Sequence, residues 1–122
     1  DAYALIKMVH ARSPEAGFRL VINRVTDRTE GQQTADKIRV VANRFLKLEI
    51  PLLGTIPDDA NVSKAVKRQI PFSALYPETA AARELRDMAV RYSSSPAQGA
   101  SSKPAEAGGV KRFLSRFLHY LK

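Results

Sequence analysis

The sequence predicts an α/β fold: a parallel sheet covered by helices, followed by a flexible linker and an amphipathic helix. Two runs, "FRLVINRV" and "PLLGTIP", have the apolar density of buried strands, and segments of helical periodicity precede, separate and follow them. Strands alternating with helices give a parallel sheet rather than a sandwich or a bundle. Only two strands are visible, whereas such sheets take more strands and cover both faces, so the chain is expected to be the C-terminal part of a larger domain. Its abrupt start within a helix predicts the same. The expected layout is a folded body over residues 1–92, a linker over 93–109 and a terminal helix over 110–122.

In the opening "DAYALIKMVHAR", Ala4, Leu5, Met8 and Val9 recur at helical spacing, with Asp1 at the N-cap position and Arg12 near the end. "SPEAG" is a turn, and the first strand runs from Phe18 to Asn23. The polar "TDRTEGQQ" leads into a second helix whose inner face is Ala35, Ile38, Val41, Ala42, Phe45 and Leu46, with Pro51 as its limit. "PLLGTIP" is the second strand. "DDANVSKAVKRQ" begins with capping residues and continues as a short helix. "IPFSALYP" is an irregular crossing, and "ETAAARELRDMAVRY" is a helix charged on its outer face.

A length of 122 residues suffices for one ordinary domain, and 44% hydrophobic with 26% charged residues is globular composition. The absence of cysteine excludes disulfides, thiolate metal sites and cysteine catalysis, and fits a reducing cytoplasm. No apolar run approaches the roughly 20 residues that cross a bilayer, and the N-terminus lacks the order of a signal peptide, so a soluble body is expected. The net charge of +8 and pI near 10.1 draw the chain toward polyanions, nucleic acid or an anionic membrane. Residues 1–92 carry 15 basic against 11 acidic side chains and residues 93–122 carry 5 against 1, so the same excess is packed into a much shorter tail.

After Tyr92 the stretch "SSSPAQGASSKPAEAGG" has no large apolar residue to offset its ordering entropy, which predicts a flexible linker. Periodicity then returns in "VKRFLSRFLHYLK". At about 100° per residue, Val110, Phe113, Leu114, Phe117, Leu118 and Leu121 fall on one stripe. Lys111, Arg112, Ser115, Arg116, His119 and Lys122 fall opposite, with Tyr120 at the boundary. An isolated helix of this length is marginal in water and needs a surface. An anionic bilayer suits it best, accepting the apolar stripe while each basic residue contributes about 1 kcal/mol at the head groups. A groove on a partner, or on the chain's own body, would read the same anchors. The long polar linker weighs against the body.

The chain holds no G-x-x-x-x-G-K-[ST] and no G-x-G-x-x-G, hence no phosphate cradle. His10 and His119 lack metal-ligand spacing and are expected to be solvated rather than catalytic. No Ser-His-Asp order is suggested by local context. Asp58 and Asp59 directly follow the strand that ends in Pro57, and the C-terminal ends of parallel strands are where α/β sheets bind ligands. An acidic pair before a helix is equally an N-cap. Asn23 ends the first strand, where its amide offers a donor and an acceptor to a base edge or closes a turn.

At these residues the chain resembles the MinD/ParA-type P-loop ATPases, and within them the MinD-like flagellar-number regulators. The resemblance covers about residues 1–92 and is carried by "DAYALIK", "FRLVINRV", "LLGTIPDDANVSKAVKRQIPF" and "YPETAAARELRDMA", the third stretch being the most specific. It implies the C-terminal portion of a parallel-sheet P-loop NTPase domain that binds ATP. Asn23 would meet the adenine edge, and Pro57, Asp58 and Asp59 would line base and ribose. The phosphate-binding loop, the Mg ligands and the switch segments of the family would lie upstream of Asp1, so the chain alone is expected not to be an enzyme.

The terminal helix is likewise similar to the membrane-targeting segment of MinD-type proteins. By that resemblance the full-length form is a homodimer, peripherally bound to the inner face of the cytoplasmic membrane and working with flagellar assembly proteins. Pairing two weak anchors would gain avidity. The alternatives are a ParA-like nucleic-acid-associated module, with Lys64, Lys67 and Arg68 as its contacts, and a partner-binding scaffold.

Overall fold

A computed structural model describes residues 1–94, in the order α1 (Ala2–Arg12), β1 (Leu20–Val25), α2 (Arg28–Leu46), β2 (Leu52–Pro57), α3 (Ala60–Lys67), α4 (Phe72–Leu75) and α5 (Ala80–Ser94). Residues 95–109 of the expected linker and the terminal helix, with Val110, Lys111, Arg112, Phe113, Leu114, Arg116, Phe117, Leu118, Leu121 and Lys122, lie outside the described residues. α5 runs through Ser93 and Ser94, past the boundary placed at Tyr92.

Helix α1 is capped by the Asp1 carboxylate, which accepts from Tyr3 N–H at 2.9 Å. Its inward residue is Ile6, while Leu5 and Met8, two of the residues that recur at helical spacing, are 60% and 53% exposed. Apolar residues surround this helix on most sides, and periodicity alone does not say which side meets α2. Helix α2 begins at Arg28, within the polar stretch expected to lead into it. Asp27 Oδ1 accepts from Glu30 N–H at 2.8 Å, and Glu30 Oε2 reaches back to Thr26 N–H at 2.9 Å. Reciprocal capping of this kind starts a helix without apolar residues in its first turn. Gly31 makes the approach possible, because a Cβ there would stand 2.9 Å from Thr55 Cγ2 and 3.1 Å from Val25 Cγ1. The helix ends at Leu46, not at Pro51, with Lys47 left-handed at φ 55. Phe45, expected inside, is 65% exposed under the Arg44 guanidinium.

Among the described residues β1 and β2 form a two-stranded parallel sheet. Its register runs Leu20↔Leu52, Val21↔Gly54, Ile22↔Thr55, Asn23↔Ile56 and Val25↔Pro57, so Leu53 and Arg24 are extra residues on their strands. Side chains alternate across the sheet. Leu20, Ile22 and Leu52 therefore join Ile6, Ala35, Ala42 and Ile50 in the core beneath α1 and α2. Gly54, paired with Val21, faces the other side, where α5 packs with Met88 directly over it. The Arg91 guanidinium takes up the carbonyl of the bulged Leu53 through Nε at 3.1 Å and Nη2 at 3.0 Å. Helix–sheet contacts are close because Ala35, Ala42, Ala81 and Ala82 are fully buried. The crossing expected to be irregular contains the four-residue helix α4.

Candidate functional site at the strand ends

Both strands deliver their C-terminal residues to one edge of the sheet, and the positions expected to carry chemistry meet there. Asn23 pairs with Ile56 inside β1, rather than ending the strand, and the next residue leaves the ladder. Arg24 adopts φ 58, a left-handed conformation that non-glycine residues enter at a cost of about 1 to 3 kcal/mol. Its backbone N–H donates to Asn23 Oδ1 at 2.9 Å. Its Nε meets Asp58 Oδ1 at 3.4 Å across the strand ends, between side chains 78% and 53% exposed. An ion pair that open contributes about 0 to 1 kcal/mol and is screened by salt, so it orients more than it stabilises.

On β2, Pro57 has no N–H to donate, and the ladder resumes through Asp58 N–H, which donates to Val25 O at 3.0 Å. Asp59 caps α3: its Oδ1 accepts from Asn61 N–H at 2.8 Å. Asp59 is committed to the helix, and Asp58 keeps an exposed carboxylate beside Arg24. Asn23 sits within the ladder, immediately before the bulge at Arg24. Its amide keeps both Nδ2 hydrogens and one Oδ1 lone pair.

Two further groups at this edge were not anticipated from the sequence. Thr26 donates its hydroxyl and its N–H to Glu30 Oε2, and the hydroxyl is the larger reason that the Glu30 carboxyl titrates below the usual glutamate range. The spacing from Asp27 to Glu30, an N-cap residue and an acid three positions later, was the signal available. Nothing in the sequence marks Arg24 for a left-handed backbone.

The edge suits a planar, uncharged heterocycle that offers a donor beside an acceptor, with the Asp58 carboxylate as a neighbouring acceptor for hydroxyls. Phosphates and Mg have no comparable cradle here, and no group of three His, Cys, Asp or Glu among the described residues could hold a metal ion. His10 is half-buried, with its Nδ1 enclosed and lacking a hydrogen-bond partner, which corrects the expected solvated ring; His119 lies outside the described residues. A groove of about 700 Å³ between α2 and the segment before β2, lined by Val40, Leu48, Ile50 and Pro51 with Asp36, Arg39 and Glu49, lies at the opposite end of β2. No helix among the described residues is long and apolar enough to cross a membrane.

No family model matches the chain. It is similar to the antiactivator FleN of Pseudomonas aeruginosa, 32% identical over 96 residues that make up 79% of this chain and 34% of FleN. It is also similar to an uncharacterized ATP-binding protein of Methanocaldococcus jannaschii, 24% identical over 98 residues, 80% of this chain and 34% of that protein. The chain spans about a third of the length of these relatives.

Proposed function

We propose, from the premise that this chain is a relative of the MinD/ParA-type flagellar-number regulators, that it is the C-terminal part of a MinD-like ATPase controlling flagellar number or placement. The likeness to FleN carries the reading. In it, the chain contributes the adenine side of an ATP site: the Asn23 amide meets the base edge, and the turn of Pro57, Asp58 and Asp59 lines base and ribose. The strand-end placement of these residues supports it, because ligands of parallel α/β sheets bind where the strands end. ATP and Mg chemistry would require the phosphate-binding segments of a whole protein, so the 122-residue chain should bind adenine nucleotide weakly and hydrolyse none.

The terminal segment is read as a membrane-targeting helix on a tether, bringing a cytoplasmic protein to the anionic inner face of the membrane. In the full-length form, a homodimer would present two such helices at once. Flagellar assembly proteins are the partners this reading implies. Co-sedimentation with anionic and neutral vesicles tests it, using the parent chain beside the double variant Phe113→Glu, Phe117→Glu. Binding of the parent to anionic vesicles alone, with the double variant left in the supernatant, is expected. Equal behaviour of the two chains would remove the membrane role.

A second reading has its own observation. Helix α3 and its C-cap present Lys64, Lys67 and Arg68 exposed, none of them in an ion pair among the described residues, as a nucleic-acid-associated surface would. DNA retention that survives deletion of residues 103–122 and falls steeply with salt would favour that reading. Vesicle-independent capture of a protein by the tail would instead favour a partner-binding scaffold.

A further inference from the structure

We infer that Arg24 is a positioning residue: its left-handed bulge fixes which way round the Asn23 amide faces, and thereby selects adenine over guanine. The inference rests on the nucleotide reading above and adds to it a residue that need not touch the base. A carboxamide has a donor end and an acceptor end of nearly the same shape, and half a turn about its last bond exchanges them. Adenine offers its amino donor beside a ring-nitrogen acceptor, which matches Oδ1 and Nδ2 respectively. On the corresponding Watson–Crick edge guanine presents a carbonyl acceptor beside a ring N–H donor, the reverse of adenine, so a matching contact there requires the amide turned over. An amide free to turn accommodates both purines, and one that is held does not.

The structure holds it. Arg24 N–H donates to Asn23 Oδ1 at 2.9 Å, and the reversed amide would set Nδ2 donor against N–H donor. The N–H is available to the side chain because Arg24 is the extra residue of β1, outside the ladder, and the left-handed φ of 58 is what accommodates that bulge. The bulge is tied from the far strand as well, by Nε to Asp58 Oδ1 at 3.4 Å and by Asp58 N–H to Val25 O at 3.0 Å. Two functions of one residue therefore separate: the backbone sets the amide, and the guanidinium ties the two strand ends together.

The test uses the whole 122-residue chain in two measurements. In amide hydrogen exchange, the Arg24 N–H should be protected about tenfold relative to the same amide in Asn23→Ala. In competition against a fluorescent adenine nucleotide, ATP should displace the probe better than GTP. Arg24→Gly, which keeps the φ and the N–H, should preserve that preference. Arg24→Val, whose branched Cβ opposes a positive φ, should reduce it by about tenfold. An unprotected Arg24 amide in the wild type, or a folded Arg24→Val with the wild-type ratio, overturns the inference. If Arg24→Val does not fold, Asn23→Asp replaces it: the carboxylate keeps an acceptor for Arg24 but has no donor end, so protection should remain and adenine preference vanish. A retained preference there is equally fatal. Should the wild type bind neither nucleotide, the nucleotide reading and the selectivity fall together, while the exchange data still report whether Arg24 holds the amide.

Discussion

Replacing Gly54 by alanine probes the packing that places β2, and with it the Asp58 turn. A Cβ at this position would stand 2.6 Å from both Cγ and Sδ of Met88 and 2.8 Å from Nη2 of Arg91. Met88 is only 3% exposed, and the Arg91 guanidinium is engaged with the Leu53 carbonyl, so neither neighbour can step aside without losing contacts. Overpacking of a closed contact costs about 1 to 3 kcal/mol. Against that, alanine restricts the unfolded chain and returns about 0.4 to 1 kcal/mol. The net expectation is a loss of about 1 to 2 kcal/mol. For a body of this size that lowers the thermal midpoint by about 4 to 16 °C. Urea unfolding followed by circular dichroism would read it as a lower midpoint at unchanged slope. In Gly54→Ala combined with Met88→Ala, the new methyl occupies space the methionine vacates, so the double variant should be less destabilised than the two single effects added. A Gly54→Ala chain as stable as wild type, or strict additivity, would mean that α5 does not sit on Gly54.

Two other outcomes follow from the strand-end edge. The Glu30 carboxyl titrates low in the folded chain, chiefly through the Thr26 hydroxyl, so it contributes stability above the ordinary glutamate value of about 4.3 and loses it as pH falls through its lower folded value. Glu30→Gln should therefore flatten the acid side of the urea-midpoint profile between pH 7 and pH 3, and an unchanged profile would refute the assignment. Removing the α3 cap with Asp59→Ala should cost about 0.5 to 2 kcal/mol, whereas Asp59→Asn should stay close to wild type; equal losses would show that charge, not the hydrogen bond to Asn61, carries the effect.

Much of the fold was legible because the strongest signals are local. "PLLGTIP" reads as a strand bounded by prolines, and β2 occupies Leu52–Pro57; Asp1 reads as a cap, and its carboxylate takes the first free N–H groups of α1. The misreading at Phe45 has a cause that α1 shares. In α1 and at Phe45 the apolar residues exceed what one neighbouring element can cover, so hydrophobicity alone could not say which would be inside. The early start of α2 was hidden because capping and a buried glycine, rather than apolar periodicity, hold its first turns. At the candidate site the residue types were legible and their division of labour was not. Which of two adjacent aspartates caps α3, and that Arg24 turns left-handed between them and Asn23, depends on where the two strands end relative to each other.

That dependence bears on how the site can be tested. At this edge a left-handed arginine, an exposed ion pair and a carboxylate left free beside a committed one come together, while the other left-handed residues, Lys47 and Gln69, stand just past the ends of α2 and α3. The closest packing lies elsewhere, where Ala35, Ala42, Ala81 and Ala82 are fully buried and Gly31 and Gly54 admit the helices to the sheet. Lys47 and Gln69 turn the chain after helices, where a left-handed residue is ordinary, whereas Arg24 interrupts a strand ladder, a departure from local preference of the kind that functional edges carry. Asn23 and Asp58 are exposed and anchor no part of the core, and surface substitutions of this kind usually change stability by no more than about 0.5 kcal/mol. Asn23→Ala and Asp58→Ala should therefore unfold with the wild type while weakening adenine-nucleotide binding. A loss of stability matching the loss of binding would instead make the edge a structural corner of the sheet.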